Sequence, residues 1–354
     1  MADRYWVGGS GNWDATTGTK WSTTSGGAGG ASVPTTSDNV FFDANSGSGT
    51  VNIQTAAANC LNLDCQNFAG TINFTSGVTL TIAGTLFRLR SSAGGWNGAT
   101  NSAIQMTNVG GSVSIDTQGK SLGHLTLTGA GTTWTLASNL TVLPLGAFTL
   151  TSGHFDANDF NVSVGVFSSS NSNTRTISMG NGTWRLTRDT GGATLWTNAT
   201  QTNLTFNREG STIEVAPAGS VDNNRTLNFG TLTVNGLTIE DVTFDRTVIT
   251  LTVNGVNGTL TIGKGNFITV ASALSVTALV VNSTRSAQVV FFGGTTAART
   301  LALTSNTTVR HVILISMAVT GATLLAEHSI KLGMGGTGIT TTPPGAKANF
   351  QLGI

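Results

Sequence analysis

The sequence predicts an all-β chain, specifically a parallel β-solenoid (β-helix) of short irregular coils. Three observations carry that expectation. Residues 230–263 read GTLTVNGLTIEDVTFDRTVITLTVNGVNGTLTIG, with TLTVNG at 231–236 and again at 250–255, and GTLTIG at 258–263. Each copy alternates Leu, Val or Ile with Thr, which gives an extended strand one apolar face and one hydroxyl face. A strand this short cannot bury its apolar face alone, and self-similarity at about twenty residues is the mark of coil stacked on coil. The Asn-Gly or Gly that ends each copy is expected to supply positive φ for a corner. Alternation does not separate parallel from antiparallel pairing, so tandem antiparallel β-sandwiches are the alternative architecture.

Composition narrows the function classes. Of 354 residues only 9% are charged, against about a quarter in ordinary soluble domains, and Gly occurs 46 times. Thr, Ser, Asn and Gly take over the polar surface, and so little charge leaves association unopposed. Lys and Arg number 17 against 16 acids, a formal net charge of +1, which provides no electrostatic footprint for nucleic acid or an anionic membrane. Residues 1–6 lack an apolar signal core, so synthesis in the cytoplasm without a signal peptide is expected. The most apolar stretch, 309–326, is broken by Arg, His, Ser, Thr and Gly, so no membrane insertion is expected. Cys60 and Cys65 do not form a disulfide framework and read as two small buried thiols.

Taken in order, residues 1–50 differ from the repeat. They place Trp6, Trp13 and Trp21 among Gly, Ser and Thr and add Phe41 and Phe42 after Pro34. The open end of a solenoid needs covering, so this segment reads as a Trp-rich cap or docking segment. The sharper alternative is that its aromatic rings stack on sugars. Asp38 and Asp43 lack the dense oxygen spacing of a calcium loop and read as turn residues. From residue 51 the strand pattern begins, and 51–335 reads as the repeat region. Arg88 and Arg90 are expected on the solvent side of their strand, and the Gly-rich 91–111 as an insertion loop around Trp96. The clearest coils lie at 112–187, where Leu125-Thr126-Leu127 recurs as Phe148-Thr149-Leu150. Only AVTGATLLAEHSIKL, near the end, suggests a short helix. Residues 336–354, rich in Gly and Pro, read as a C-terminal arm.

The opening WVGGSGNWDATTGTKWS…VPTTSDNVFFD, and LTLTGAGTTWTLASNLTV…FTLTSGHFDANDFNVSVGVFSSSNSNTRTISMGNGTWRLT, resemble β-strand-rich repeat segments of tailed-bacteriophage virion proteins. They resemble more loosely the repeats of autotransporter and adhesin passenger regions. The resemblance covers much of residues 4–187. It implies an exterior virion component (tail fibre, spike or head decoration) with other virion proteins of capsid or tail as partners. A homotrimer and contact with a host surface glycan are further implications, and a bacterial surface adhesin is the alternative.

Catalysis on glycan would need two carboxyl groups about 5–5.5 Å or 6.5–9.5 Å apart. Asp241 and Asp245 share a strand face but stand roughly 13 Å apart at the usual rise. Asp222 and Asp241 make the better pair, although Asp222 sits in the turn-like VDNNR. Asp156 and Asp159 in FDANDF are turn residues on the same reading. His124, His154, His311 and His328 show no short metal-ligand spacing, though His311 and His328 are candidates to stack on successive coils. No nucleophile elbow or phosphate-binding loop occurs. The expectation is therefore a non-enzyme without cofactor or metal. Leu232→Asp and Val253→Asp, at positions expected to face inward, should each cost several kcal/mol and abolish normal assembly, as denaturant unfolding would register.

Overall fold

The computed structural model describes residues 1–13, 20–54, 58–90, 95–188, 192–216, 224–239, 248–264, 266–271, 273–286, 288–293, 299–332 and 339–342. These residues are almost all strand and corner, with one 3-10 turn at Ala44–Ser46 and no α-helix. The chain divides into two compact units, residues 1–188 with 200–210, and residues 189–199 with 211–354. The division falls inside the stretch expected as one repeat region. Asp222, Asp241 and Asp245 lie outside the described residues, as does most of the arm expected at 336–354.

Through most of the first unit a strand pairs with the third strand further along the chain. Ala103–Met106, Gly111–Asp116 and Ser121–Leu122 are followed by His124–Leu127, Thr132–Leu136 and Leu140–Val142, and the members pair one to one, all parallel. Three faces result, and equivalent positions return after about one coil: side-chain hydrogen bonds join asparagines 21, 23 and 24 residues apart. This is consistent with the parallel β-solenoid expected. It excludes antiparallel sandwiches for these residues.

The sequence alternation explains why the strands stack in this register. Inward positions form apolar columns, Ile104–Leu125–Phe148–Phe167 on one face and Val113–Trp134–Phe155–Ile177 on another. All eight are buried. A slip of one residue would turn every such side chain to solvent, so the apolar period fixes the register. Outward positions carry Thr and Asn, and the asparagines bond along the stack: Asn73 donates to Asn52 (3.1 Å) and Asn97 to Asn73 (2.7 Å).

In the first unit a buried cation, Arg175, interrupts the apolar interior. Arg175 is 1% exposed. Its guanidinium donates to the Ser169 hydroxyl and carbonyl and to the carbonyls of Asn173, Thr200 and Thr202, at 2.6–3.1 Å. Burial pushes its pKa down, yet every donor direction is occupied, which is the condition for holding a charge in the interior.

The second unit is also parallel. Thr194–Thr197, Asn224–Asn228, Val248–Thr252, Phe267–Val270, Val289–Phe292, Val312–Ile315 and Ile330–Leu332 form one ladder. Thr212–Val215, Gly236–Ile239, Gly255–Gly263, Leu274–Asn282, Arg299–Leu303 and Met317–Thr320 form another. A third, short ladder runs through Thr307–Arg310, Leu324–Glu327 and Ile339–Thr342.

Several expectations need correcting. The TLTVNG copies do not stack residue on residue: Thr233 pairs with Gly255 rather than with its repeat equivalent Thr252, while Thr250 pairs with Thr226 and Thr269. The repeated hexapeptide falls at different points of the coil because corner lengths vary. Gly236 and Gly255 lie inside strands without positive φ, and a Cβ on either would press on its neighbour, 3.1 Å from Thr212 Cγ2 and 3.1 Å from Ser275 O respectively. They are glycine for close approach between coils. Residues 318–332, expected to include a short helix, run through strands instead, because Val319, Leu324 and Ala326 land on inward, buried positions. The expected insertion loop at 91–111 contains Trp96–Asn97 and Ala103–Met106, both paired in the ladders. Arg88 and Arg90 do face outward as expected, half-buried, with Phe87 and Leu89 buried on the opposite side.

Of the two positions singled out for substitution, Val253 is 1% exposed but Leu232 is only half-buried. The inward residue of that first copy is Val234. Val234→Asp and Val253→Asp should therefore each lower unfolding free energy by several kcal/mol, and Leu232→Asp by distinctly less, in denaturant titrations of the full chain.

Candidate functional surface

The aromatic residues of the N-terminal segment are mostly interior. Trp6, Trp13, Trp21 and Phe42 are at most 1% exposed. Trp21 meets the rings of Trp6 and Trp13 edge-on, each at 5.1 Å, and Phe42 packs on Phe68 at 5.0 Å. Two indoles are tied to backbone carbonyls, Trp6 to Gly9 (2.8 Å) and Trp21 to Trp13 (3.0 Å). Their faces are therefore used up inside the unit and offer nothing to a sugar or a docking partner. Trp21–Ser22 runs antiparallel along Ala2–Trp6, at the end of the parallel ladder, and so covers its edge.

Phe41 is the exception. It points outward, half-buried, and stacks on Tyr5 with centroids 4.8 Å apart and planes 17° from parallel. Register carries this pair into a column: Tyr5 pairs with Phe41, Phe41 with Asp64, Asp64 with Arg88, and Arg88 with Asp116. Arg88 donates from Nε to Asp64 Oδ1 (3.0 Å) and from Nη2 to Oδ2. Gln118 Nε2 donates to Asp116 Oδ2 (2.7 Å). Just past the ends of these strands lies a depression of about 370 Å³ lined by Ala44, Gln66, Asn67, Phe68, Ala69 and Arg90. Arg90 reaches across it to donate to the Phe68 carbonyl.

This surface combines a flat aromatic pair, side-chain amides and guanidinium groups, which suits a hydroxyl-rich or anionic ligand. It is poorly arranged for hydrolysis. Asp64 and Asp116 sit two strand spacings apart, about 9.6 Å, with Arg88 between them, and Asp64 is engaged in a two-point ion pair. Asp38, Asp43, Asp156 and Asp159, expected as turn residues, bind backbone or hydroxyl groups at turns and strand ends. Asp38 accepts from Thr35 N (3.0 Å) and Oγ1 (2.8 Å). Burial would raise its pKa, but those hydrogen bonds and Arg4 outweigh it and hold the carboxyl below its usual range. Asp43 caps the 3-10 turn, Asp156 accepts from Asn158 N, and Asp159 accepts from Asn181 N. Asn158 and Asp159 both adopt positive φ.

Cys60 and Cys65 are buried free thiols, and burial pushes both well up from the ordinary thiol value, so neither is a poised nucleophile. His311 and His328 do stack, at 5.5 Å and 18°. Among the described residues no three His, Cys, Asp or Glu side chains gather as metal ligands, and no helix is long and apolar enough to cross a membrane. Comparison with protein-family models, curated proteins and solved structures finds no match.

One histidine is tied to the fold. His124 Nδ1 accepts from Ala147 N (3.0 Å), a bond that requires an unprotonated nitrogen. Burial first, and Arg188 second, lower its pKa, against an opposing backbone contact at Thr100. The unfolded chain, with the usual His value near 6.5, then binds the proton more readily than the folded one. Stability should fall as pH drops through about 6.5 toward the lower folded value. In a His124→Gln variant, thermal unfolding at graded pH should lose that part of the slope.

Proposed function

We propose that this chain is a structural component of the exterior of a tailed-bacteriophage virion, acting by assembly and surface presentation rather than catalysis. The observation that carries the reading is the stack of parallel ladders with apolar columns inside and Thr and Asn outside. A coil-on-coil stack resists extension through many main-chain hydrogen bonds and needs few charges for its own integrity, which suits a part that bears load and meets other subunits. The resemblance of residues 4–187 to virion repeat segments points the same way. On this reading the chain is made in the host cytoplasm, binds capsid or tail proteins, and assembles with its own copies, as a homotrimer in the simplest case. Tail fibre or spike and head decoration or cement are its two placements.

A second reading, a spike that binds host surface glycan, is favoured by one observation: the outward Tyr5–Phe41 pair beside the depression lined by Gln66, Asn67 and Arg90. The adhesin alternative has no such feature in its favour.

Cryo-electron microscopy of a particle carrying this chain tests the proposal. Density of coil-stacked strands on the outside of the capsid or tail is the expected result. A chain recovered only inside the head, or absent from the particle, would overturn it. For the second reading, a glycan array probed with the full chain and with Arg90→Ala should show binding that the substitution weakens at least several-fold.

A further inference from the structure

The outward faces of the ladders differ in character. In the first unit, the ladder through Ala103–Met106 and His124–Leu127 turns Thr81, Gln105, Thr126, Thr149 and Ser168 outward. In the second unit the Val248–Thr252 strand still presents Thr250 and Thr252. The next strands do not. Phe267, Val290, Ile313 and Ile330 form one outward column, and Phe292, Ile315 and Leu332 continue the column that starts at Thr269. These side chains are half-buried, Leu332 being 47% exposed. The rings of Phe267 and Phe292 meet at 5.9 Å. The sequence carries the same message: VVFF and VILI are unbroken apolar runs where the other coils alternate. Continuous apolar strands are characteristic of parallel sheets covered on both faces.

The other faces keep polar groups. In the same coils the second ladder turns Ser275, Thr277, Thr300 and Thr320 outward, interspersed with Ala278 and Val280, and the third carries the Arg310–Glu327 ion pair (2.6 Å). We propose that the apolar face of Phe267–Val270, Val289–Phe292, Val312–Ile315 and Ile330–Leu332 is the contact between copies of this chain.

Two arguments select a second copy as the occupant. The outward columns contain no ionisable group and only one hydroxyl, Thr269, so a charged or hydrogen-bonding partner finds nothing to pair with. An identical face does match it, in chemistry and also in spacing. Its ridges recur at the same roughly 4.8 Å strand interval, so two copies interdigitate along the whole patch at the usual sheet-to-sheet distance of about 10 Å. With its members mostly half-buried, the patch exposes on the order of a few hundred Å², the size at which an apolar area marks an interaction site, yet below the roughly 800 Å² per partner of a standard stable interface. The association is therefore reversible and depends on concentration.

This inference names the surface for the self-association in the proposed function but needs no virion. Sedimentation velocity of the full chain, from low micromolar to high micromolar, is the test, with Ile313→Glu as the face variant and Thr126→Glu, at an outward strand position of the first unit, as the control. Wild type and control should rise toward a dimer or trimer, and Ile313→Glu should stay at the mass of one chain. An Ile313→Cys variant, similar in character and read on an oxidising gel, should give an intermolecular cross-link, since Cys60 and Cys65 are buried. The cross-link decides the matter if Ile313→Glu fails to fold. A wild type that remains a monomer throughout overturns the proposal, whether the face is covered by the chain's own residues 343–354 or by another protein. Association that Ile313→Glu leaves intact, with no cross-link in the Ile313→Cys variant, overturns this face while leaving self-association elsewhere standing.

Discussion

The parallel main-chain ladder between successive coils is the constraint on which the rest depends. A strand of a few residues has no stability by itself, and here most are held by the strand one coil before and the strand one coil after. The ladder places like positions above one another, and every other feature follows from that placement. Apolar residues at alternate positions become continuous columns such as Ile104–Leu125–Phe148–Phe167. Asparagines at equivalent positions become bonded rows, as in Asn52–Asn73–Asn97. Stacking of this kind is tolerant of the outward residue, which explains how a chain with 9% charge builds a polar exterior from Thr, Ser and Asn.

The alternation in segments such as HLTLT and TTWTL is sufficient to read strand, inward face and all-β class, because a period of two has one structural meaning when turns recur at coil length. Coil register is not legible in the same way. The literal TLTVNG repeat suggests which segments stack, yet Thr233 meets Gly255, since corners absorb residues without disturbing the strands. The helix expected near the end is absent for a related reason: Ala, Leu and Glu suit a helix, but inward columns continued by Val319, Leu324 and Ala326 override local propensity. The tryptophans are visible in the sequence as a group, and their fate follows from burial that composition does not report. Tyr5–Phe41–Asp64–Arg88–Asp116 cannot be found by scanning, because its members are brought together only by register.

Chemistry and mechanics divide along the same line. The acids near one another are neutralised by Arg88 or employed in turns, and the thiols are buried. What the fold leaves available is surface: an aromatic and amide patch in the first unit and an apolar face in the second. Both are products of outward positions, where the ladder makes no demand on residue type. A fold that fixes its interior so strictly, and its exterior so little, is suited to presenting contacts.

The most direct test of the ladder is disulfide trapping between outward register partners. Thr126 and Thr149 are paired across adjacent strands, which puts their Cα atoms near the 4.4–6.8 Å a disulfide spans, about one strand spacing. A Thr126→Cys/Thr149→Cys chain should form an intramolecular disulfide on mild oxidation and keep its unfolding midpoint or raise it. Thr126→Cys/Ser168→Cys, two coils apart, should not form one. Cross-linking of the second pair in preference to the first would contradict the parallel register from which every other conclusion is drawn.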